Sequence, residues 1–296
     1  MDEVIFDLDW WTTELSPYES FEGGRMGLIV GPRDIVYLEE CRNRLSGHVN
    51  LGPSVSTDVF IFAKGSTSRR DVTKVGGLPY RPESLPWPEG PDGSPMTFLA
   101  QYRFAESKDL VNSLPGDILL VFAQGEAIHQ DVPQGFLRFE WYQLGLEELL
   151  VKEALPPPAW EFGTCYGVRH RTVDYRKQVN PHALARYLPE QAVGKSGHAY
   201  QAAAMSRIVG MKIAGLPFLY GRRRGDTQPR HRGRFLCSLA SVVPCAETSY
   251  PWINQAEPLP LMAALDPDKR LCLGDGFLLN MFIGPRGGVC WAIEFL

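Results

Sequence analysis

The segment "KVGGLPY" at Lys74–Tyr80 is the most informative part of the chain, because it returns as "KIAGLPF" at Lys212–Phe218, at an offset of 138 (212 − 74). A lysine before two glycines is typical of loops that bind an anion through backbone N–H groups. The second copy keeps only Gly215. A phosphate site would lose its chemistry under that change, whereas a turn that needs one residue with positive φ would not. We therefore interpret the segment as a structural turn that the chain forms twice.

Two further blocks recur in the same order after each turn. "MTFLAQYRF" is echoed by "RFLCSLASV", in which Phe98 and Phe235 correspond at an offset of 137 (235 − 98). "LPGDILLVFAQG" is echoed by "CLGDGFLLNMFIG", in which Gly116 and Gly274 correspond at an offset of 158 (274 − 116). Three blocks in one order predict an internal duplication. The increase in offset from 137 to 158 predicts an insertion before the last block of the second copy.

The segment between the first turn and the first strand block is dense in turn-forming residues. Residues 75–95, "VGGLPYRPESLPWPEGPDGSP", contain six prolines and four glycines, which exclude a helix or a central strand. Tyr80, Leu85 and Trp87 make the segment too apolar for a disordered linker. The composition predicts an ordered loop that its aromatic side chains hold against the core.

The remaining elements are predicted from periodicity and from breakers. Strands are expected at residues 58–65, 96–104 and 136–144. Residues 114–125 are expected to form a turn and then a strand, which is apolar on both faces and should be central and buried. Helices are expected at residues 33–47, 146–155, 180–188 and 197–210.

These blocks together carry a resemblance. "TKVGGLPYRPESLPWPEGPDGSPMTFLAQYRF", "LPGDILLVFAQG", "KIAGLPF" and "LGDGFLLNMFIG" resemble the YwqG-like family of bacterial proteins, which is labelled as a domain of unknown function. The resemblance covers about residues 58–125 and 208–296. It implies an α+β fold with two related halves and implies no catalytic set. Because similar proteins often lie near bacterial toxin systems, it also implies an immunity-type role.

The predicted fold class is α+β, with two related β-rich halves bridged by helices in one globular body. Residues 1–57 are expected to form an N-terminal extension and residues 58–296 a YwqG-like domain. Within that domain we expect a first half at 58–160, bridging helices at 161–207 and a second half at 208–296.

Composition argues against several classes of function. The 30 Lys and Arg residues against 34 Asp and Glu residues, a net charge of −4, disfavour nucleic-acid binding over a broad basic face. The six cysteines include no C-x-x-C pair, so Cys237 and Cys290 are expected to be structural thiols in strands. Neither a signal peptide nor an apolar run of about 18 residues occurs, which predicts a cytoplasmic protein without membrane contact.

Two motifs suggest enzyme chemistry, and both are incomplete. "VGKSG" at Val193–Gly197 lacks the first glycine of a phosphate-binding loop and is interpreted as a turn between helices. Asp7 and Asp9 in "VIFDLDWW" have the Asp-x-Asp spacing of phosphatases that use one carboxylate as a nucleophile and the other as an acid. A bulky Trp10-Trp11 pair follows them, where such enzymes have a small or hydroxyl residue.

We therefore expect no catalytic residues, no metal site and no cofactor. The leading hypothesis is a non-catalytic protein-binding protein of the bacterial immunity or antitoxin type, whose partner is a protein such as a toxin. The alternatives are a phosphatase-like hydrolase that uses Asp7 and Asp9, and a small-ligand binder with its pocket between the halves. The candidate contact residues lie in "GRRRGDTQPRHRGR" and in the proline-rich loop: Arg222, Arg223, Arg224, Arg230, Arg232, Arg234, Tyr80 and Trp87.

Overall fold

The computed structural model describes residues 48–64, 69–125, 135–157, 164–177, 207–208, 210–218, 233–240 and 277–295. Regular structure in these residues consists of ten strands and of two 3-10 turns, Ala105–Ser107 and Lys152–Ala154. In chain order the strands are β1 (Ser54–Lys64), β2 (Lys74–Val75), β3 (Thr97–Arg103), β4 (Ile118–Ala123), β5 (Leu137–Tyr142), β6 (Cys165–Tyr175), β7 (Lys212–Ala214), β8 (Arg234–Ala240), β9 (Phe277–Ile283) and β10 (Val289–Phe295).

The strands hydrogen-bond in the order β10-β9-β8-β7-β1-β6-β2-β3-β4-β5, and neighbouring strands are antiparallel. The two longest strands, β1 and β6, have 11 residues each and pair over their full length in the middle of this order. We call these two strands the central pair, β2–β5 the first wing and β7–β10 the second wing.

The two wings form two layers, each made of antiparallel strands, that pack against each other around one apolar core. Leu99 and Val121 of the first wing share this core with Leu236 and Met281 of the second wing, and all four are fully buried. The Tyr102 hydroxyl crosses between the layers and donates to a backbone carbonyl of β8 at 2.7 Å. The apolar surface that each wing would otherwise expose is therefore removed from water by the other wing.

The first wing has a second apolar face, which loops rather than strands cover. Phe98, Leu120 and Phe122 form a separate core on this side, and Trp87 and Leu149 pack onto it from the loops. Because both faces of β4 are covered, every residue of this strand is buried, as the unbroken apolar run predicted.

The pairing register shows that the two halves of the chain exchange their first strand. Lys74 in β2 lies opposite Tyr166 in β6, whereas the equivalent Lys212 in β7 lies opposite Val59 in β1. β1, the first strand of the first half, therefore pairs with β7 of the second half. β6, the first strand of the second half, pairs with β2 of the first half. Internal sequence repetition predicts two related units, but not that they interlock.

A β-bulge recurs at the same point in both wings. The register of β3 against β4 shifts just after Phe98, and that of β8 against β9 shifts just after Phe235. Phe122 lies opposite Phe98, and Phe282 lies opposite Phe235, so equivalent positions in β4 and β9 differ by an offset of 160 (282 − 122). This offset exceeds the 158 of the sequence alignment, so the insertion before the last block is slightly longer than predicted.

Both copies of the repeated turn place two consecutive residues in the left-handed backbone region. The φ angles are 64° at Gly76 and 69° at Gly77, and 61° at Ala214 and 76° at Gly215. The expectation that the turn needs a single residue with positive φ is therefore wrong. Ala214 occupies a conformation that disfavours any residue with a Cβ atom by about 1–2 kcal/mol.

The second residue with positive φ in each turn, Gly77 or Gly215, lies against a threonine of the opposite half. A Cβ atom on Gly77 would lie 2.7 Å from the Thr164 side chain, and one on Gly215 would lie 2.8 Å from the Thr57 Cβ. Thr57 and Thr164 correspond at an offset of 107 (164 − 57), which equals the offset of Val59 and Tyr166 in the register (166 − 59). The same contact between a glycine and a threonine therefore recurs at both places where the halves exchange strands.

This close approach predicts a strong response to Gly215→Ala. The new Cβ would lie 2.3 Å from the Asp174 Oδ2 atom and 2.8 Å from the Thr57 Cβ, in addition to its unfavourable φ. We expect a loss of about 2–4 kcal/mol of unfolding free energy, measured by urea denaturation. Gly93→Ala is the matched control, because φ there is 81° but no atom lies within 4 Å; it should lose only about 1 kcal/mol. Equal losses in the two variants would contradict the steric explanation.

The predicted α+β class is wrong for the residues that the structure describes, which form antiparallel strands and no α-helix. β6 occupies Cys165–Tyr175, inside the segment expected to hold bridging helices. Its strand pattern is hidden by Arg169, His170 and Arg171, which are charged or titratable residues in the middle of the element. The remainder of that segment, residues 178–206, lies outside the described residues.

The helix expected at residues 146–155 is also wrong. Only the 3-10 turn Lys152–Ala154 forms there, and Leu149 instead bridges to Pro82 in an antiparallel contact. A helix this short is marginal on its own, and the bonds to the loop around Pro82 stabilise the extended form. The helix expected at residues 33–47 and the Gly274-Asp275 turn lie outside the described residues.

The strand predictions hold where the structure describes them. β1, β3, β4, β5 and β8 all lie on stretches that were predicted as strands. Cys237 is buried in β8 and Cys290 is half-buried in β10, both as free thiols, as expected. β1 begins at Ser54, shortly before the expected first half, and the division of the chain into domains stays a prediction.

Candidate interaction surface

The first repeated turn directs its hydrogen-bond donors at its own chain. The Lys74 ammonium donates to the carbonyl of Leu78 and to that of Arg70 at 3.3 Å, and the Gly76 N–H donates to Leu99 O at 2.9 Å. Burial, together with the nearby Arg70 charge, lowers the pKa of Lys74 to about 7. The Lys74 ammonium and the Gly76 N–H, two of the donors that would bind an anion, already have partners, which agrees with a structural turn.

The second repeated turn is held by a buried ion pair. Lys212 Nζ donates to Asp174 Oδ2 at 2.6 Å, and neither side chain is exposed. The same carboxylate accepts the Leu216 N–H at 2.8 Å and the Ile208 N–H at 2.7 Å. With three donors from its own chain, Asp174 anchors the turn and the segment before it.

A second charged network ties the 3-10 turn Ala105–Ser107 to the central pair. Asp58 is fully buried and accepts the Ser107 hydroxyl at 2.6 Å and an Arg171 nitrogen at 3.0 Å. Arg171 also holds Asp109 with two bonds of 2.6 and 3.1 Å, which lower the pKa of that carboxyl. Asp58 and Asp109 both have Arg171 as a partner within hydrogen-bond distance. Because these charges neutralise one another, we assign the network a structural role.

Arg81 organises the proline-rich loop from beneath. Its side chain is 2% exposed; Nε donates to Glu140 Oε2 at 2.8 Å, Nη1 to Leu85 O at 2.8 Å and Nη2 to Pro86 O at 2.7 Å. Burial alone would raise the pKa of Glu140, but hydrogen bonds from Arg81 and Tyr142 lower it below its ordinary value. Arg81 therefore uses its charge to fix the backbone of this loop.

The loop that follows β5 is bonded to the proline-rich loop along its length. Leu150 N–H donates to Arg81 O at 2.8 Å, and Glu83 N–H donates to Glu148 O at 3.1 Å. Arg70 Nη2 donates to Leu150 O at 2.9 Å. These bonds join two irregular segments into one unit on the outer face of the first wing.

We call residues 79–86 together with residues 148–151 the loop pair. It carries Leu85 and Val151, each 42% exposed, which are the most exposed large apolar side chains among the described residues. Loops that a rigid scaffold positions commonly carry binding residues. The loop pair is therefore the candidate functional site that the described residues offer.

Tyr80 and Trp87, two of the predicted contact residues, have packing partners in the structure. Tyr80 is 4% exposed, and its hydroxyl accepts the Leu146 N–H at 2.8 Å. Trp87 is half-buried and packs edge-on against Phe122 with ring centroids 5.5 Å apart. Both rings hold loops against the outer core, as the composition predicted, and a contact role for them stays a prediction.

The predicted arginine cluster is described only at its last member. Arg234 donates to Asn112 O at 2.7 Å and to its side-chain oxygen at 3.3 Å, near the contact between the wings. The other candidate arginines lie outside the described residues: Arg222, Arg223, Arg224, Arg230 and Arg232. The same is true of Asp7, Asp9 and the "VGKSG" motif.

Sequence reasoning did not single out Leu85 and Val151 as exposed apolar side chains. The sequence uses Leu85 only as a sign that its loop is too apolar for a linker, and it predicts a helix at Val151. Arg81 donates to the backbone carbonyl of Leu85, and Arg70 donates to that of Leu150, the residue before Val151. An arginine that donates to backbone carbonyls cannot be distinguished in the sequence from an arginine on the surface. The sequence therefore carries no signal for these positions.

The described residues contain no group of three or more His, Cys, Asp and Glu side chains that could hold a metal ion. Within the same ranges, no helix has the length and apolar character needed to cross a bilayer.

Comparison with known families finds a match in the first wing. Residues 73–138 match the model of a Domain of unknown function (DUF1963). The match runs from β2 into β5, and so contains the first repeated turn and the proline-rich half of the loop pair. No curated protein matches the chain.

Proposed function

We propose that this chain is a non-catalytic protein-binding protein that contacts its partner through the loop pair. The observation that supports this proposal is the arginine-fixed backbone around Leu85, which presents an apolar side chain to solvent on an ordered loop. Ordering a loop before binding removes an entropic cost that association would otherwise carry. The interior between the wings is filled by apolar side chains of both, which favours a contact on the loops over a ligand between the halves.

The particular role that we propose is bacterial immunity, in which the protein neutralises a toxin in the cytoplasm. The resemblance to the YwqG-like family supports this proposal. An immunity protein needs a stable, complementary surface and no chemistry of its own, and the ionic networks among the described residues have structural roles.

Co-expression with a toxin encoded beside this gene tests the proposal. We expect the chain to relieve the toxicity and to form a complex with the toxin that persists through gel filtration. Leu85→Glu should weaken both effects, because it places a charge at the centre of the contact. A toxin that is neither bound nor neutralised, or a gene neighbourhood without any toxin gene, would contradict the immunity role.

A further inference from the structure

The two repeated turns differ in the partner of their lysine. Lys212 pairs with Asp174 at 2.6 Å. Lys74, its equivalent, is 6% exposed and makes no ion pair within the described residues, and its ammonium donates instead to the carbonyls of Arg70 and Leu78. Burial of an ammonium that has only neutral partners is unfavourable. In the described part of the chain, the first repeated turn therefore holds a buried positive charge without a carboxylate at ion-pair distance.

A second cation lies near this ammonium. Burial and then the charge of Arg70 lower the pKa of Lys74, and the carboxylate of Asp71 opposes this change. That carboxylate is already bound by Arg69 at 3.3 Å and by Arg103 at 3.2 Å. The Arg70 Nε atom is buried and has no hydrogen-bond partner among the described residues. The surroundings of Lys74 therefore favour the approach of an anion.

In the second repeated turn, one carboxylate gathers three donors. The donors that Asp174 binds are the Lys212 ammonium, the Ile208 N–H at 2.7 Å and the Leu216 N–H at 2.8 Å. An offset of 138 (212 − 74) relates them to three donors of the first repeated turn: the Lys74 ammonium, the Arg70 N–H and the Leu78 N–H. Because the Lys74 ammonium bonds to the carbonyls of the other two residues, the three residues lie together.

Backbone bonds beside the two turns show that this equivalence holds in space. The Gly167 N–H donates to Thr73 O at 2.7 Å beside the first repeated turn, and the Phe60 N–H donates to Met211 O at 3.0 Å beside the second. These bonds are related by the offset of the strands, 107 (167 − 60), and by that of the turns, 138 (211 − 73). The two sets of donors therefore lie on equivalent backbones.

The described residues place no carboxylate in the first repeated turn where Asp174 lies in the second. A Cβ atom on Gly215 would lie 2.3 Å from Asp174 Oδ2, whereas the three atoms nearest to a Cβ atom on Gly77 all belong to the threonine that packs against it. The residue equivalent to Asp174 is Thr67 (174 − 107), which has no carboxyl group and lies outside the described residues. The Leu78 N–H has no hydrogen-bond partner within the described ranges. Gly77 is exposed, so a ligand can reach the turn from solvent.

We infer that the first repeated turn binds the carboxylate of a ligand, at the position that Asp174 occupies in the second. Two of the three Lys74 N–H donors bind carbonyls, which leaves the third for the ligand. The Leu78 N–H supplies another donor, and the Arg70 charge adds attraction. The turn keeps its structural role, as the second repeated turn does around Asp174. The inference does not depend on the proposed protein-binding function, because it uses none of the exposed apolar side chains.

Heteronuclear NMR of the full chain tests the inference through the backbone N–H shifts of the two turns. Sodium acetate replaces sodium chloride at constant ionic strength and about pH 6.5, where Lys74 is mostly protonated because its pKa is about 7. We expect a saturable shift of the Leu78 N–H, with a dissociation constant on the order of 1 mM. The Leu216 N–H is the internal control and should not shift, because Asp174 already binds it.

Lys74→Met should weaken acetate binding by at least about tenfold, because it removes the charged donor. Lys108→Met is the matched control, since this lysine is 66% exposed, and it should leave the affinity unchanged. A Leu78 N–H without a saturable shift, equal shifts of Leu78 and Leu216, or unchanged affinity in a folded Lys74→Met variant would each overturn the inference. The comparison within the native chain remains decisive even if Lys74→Met fails to fold.

Tetra-alanine and its C-terminally amidated form distinguish two sources of the carboxylate. Binding of tetra-alanine about tenfold tighter than that of acetate, and lost on amidation, would assign the turn to the carboxyl terminus of a polypeptide. Binding no tighter than that of acetate would assign it to a small free carboxylate. Tetra-alanine amide that shifts the Leu78 N–H as strongly as the free acid would overturn the inference, because no carboxylate would then be needed.

Discussion

Replacing Asp174 with alanine is expected to lower the free energy of unfolding by about 3–5 kcal/mol. The variant would leave the Lys212 ammonium fully buried without its carboxylate partner. It would also remove the acceptor of the Ile208 and Leu216 N–H groups, and buried donors without partners are destabilising. Chemical denaturation monitored by tryptophan fluorescence and by circular dichroism measures the change.

A double-mutant cycle separates the charge effect from the lost hydrogen bonds. Lys212→Met in the Asp174→Ala background removes the buried charge and should recover about 1–3 kcal/mol, while the two N–H groups stay without the Asp174 acceptor. Asp109→Ala is the control, because Asp109 also pairs with a basic side chain, Arg171, but is 60% exposed. The loss of unfolding free energy should therefore be far smaller in this variant. Additive effects of the Asp174 and Lys212 substitutions would show that the ion pair is not the origin of the loss.

The sequence predicts the elements of this fold better than their connections. The strands around Phe98, Leu120 and Phe235 are short, apolar and bounded by Gly or Pro, so local pattern is sufficient to find them. The repeated turn also signals a duplication, because its geometry needs glycine at the same point in each copy. Such features depend on residues close in sequence.

The strand exchange and β6 could not be predicted in the same way. Arg169 and Arg171 make β6 look like an exposed segment, although their charges are used on Asp58 and Asp109 of other parts of the chain. Whether β2 pairs with β1 or with β6 is decided by contacts such as Thr164 against Gly77, which join residues far apart in the chain. Pairing between distant strands leaves no local pattern.

The candidate surface is likewise predictable from the sequence only in part. The order of the proline-rich loop follows from its composition, and Trp87 packs as that composition predicts. The exposure of Leu85 does not, because leucine has the character of a core residue, yet this side chain is 42% exposed. Exposure of an apolar residue is decided by the surrounding backbone rather than by the residue itself.

Lys74 is expected to make stability rise with pH between about 7 and 8.5. Its pKa is lowered from 10.5 to about 7 in the folded protein, so in this range the unfolded chain binds a proton that the native chain has released. Unfolding free energy then increases with pH. The slope approaches about 1.4 kcal/mol per pH unit above the folded pKa, and the effect totals on the order of 5 kcal/mol by the unfolded value.

Lys74→Met should remove this part of the pH dependence, and urea denaturation at several pH values measures the difference between the variant and the native chain. The window ends near pH 8.5 for a physical reason. Burial raises the pKa of the Cys237 thiol and of the Tyr102 hydroxyl, so above about pH 9 their ionisation in the unfolded chain lowers stability again. Lys108→Met is the control, since this lysine is 66% exposed, and its pH profile should follow that of the native chain. A Lys74→Met profile parallel to the native one would show that the buried amine keeps its proton through interaction with the carbonyls of Arg70 and Leu78.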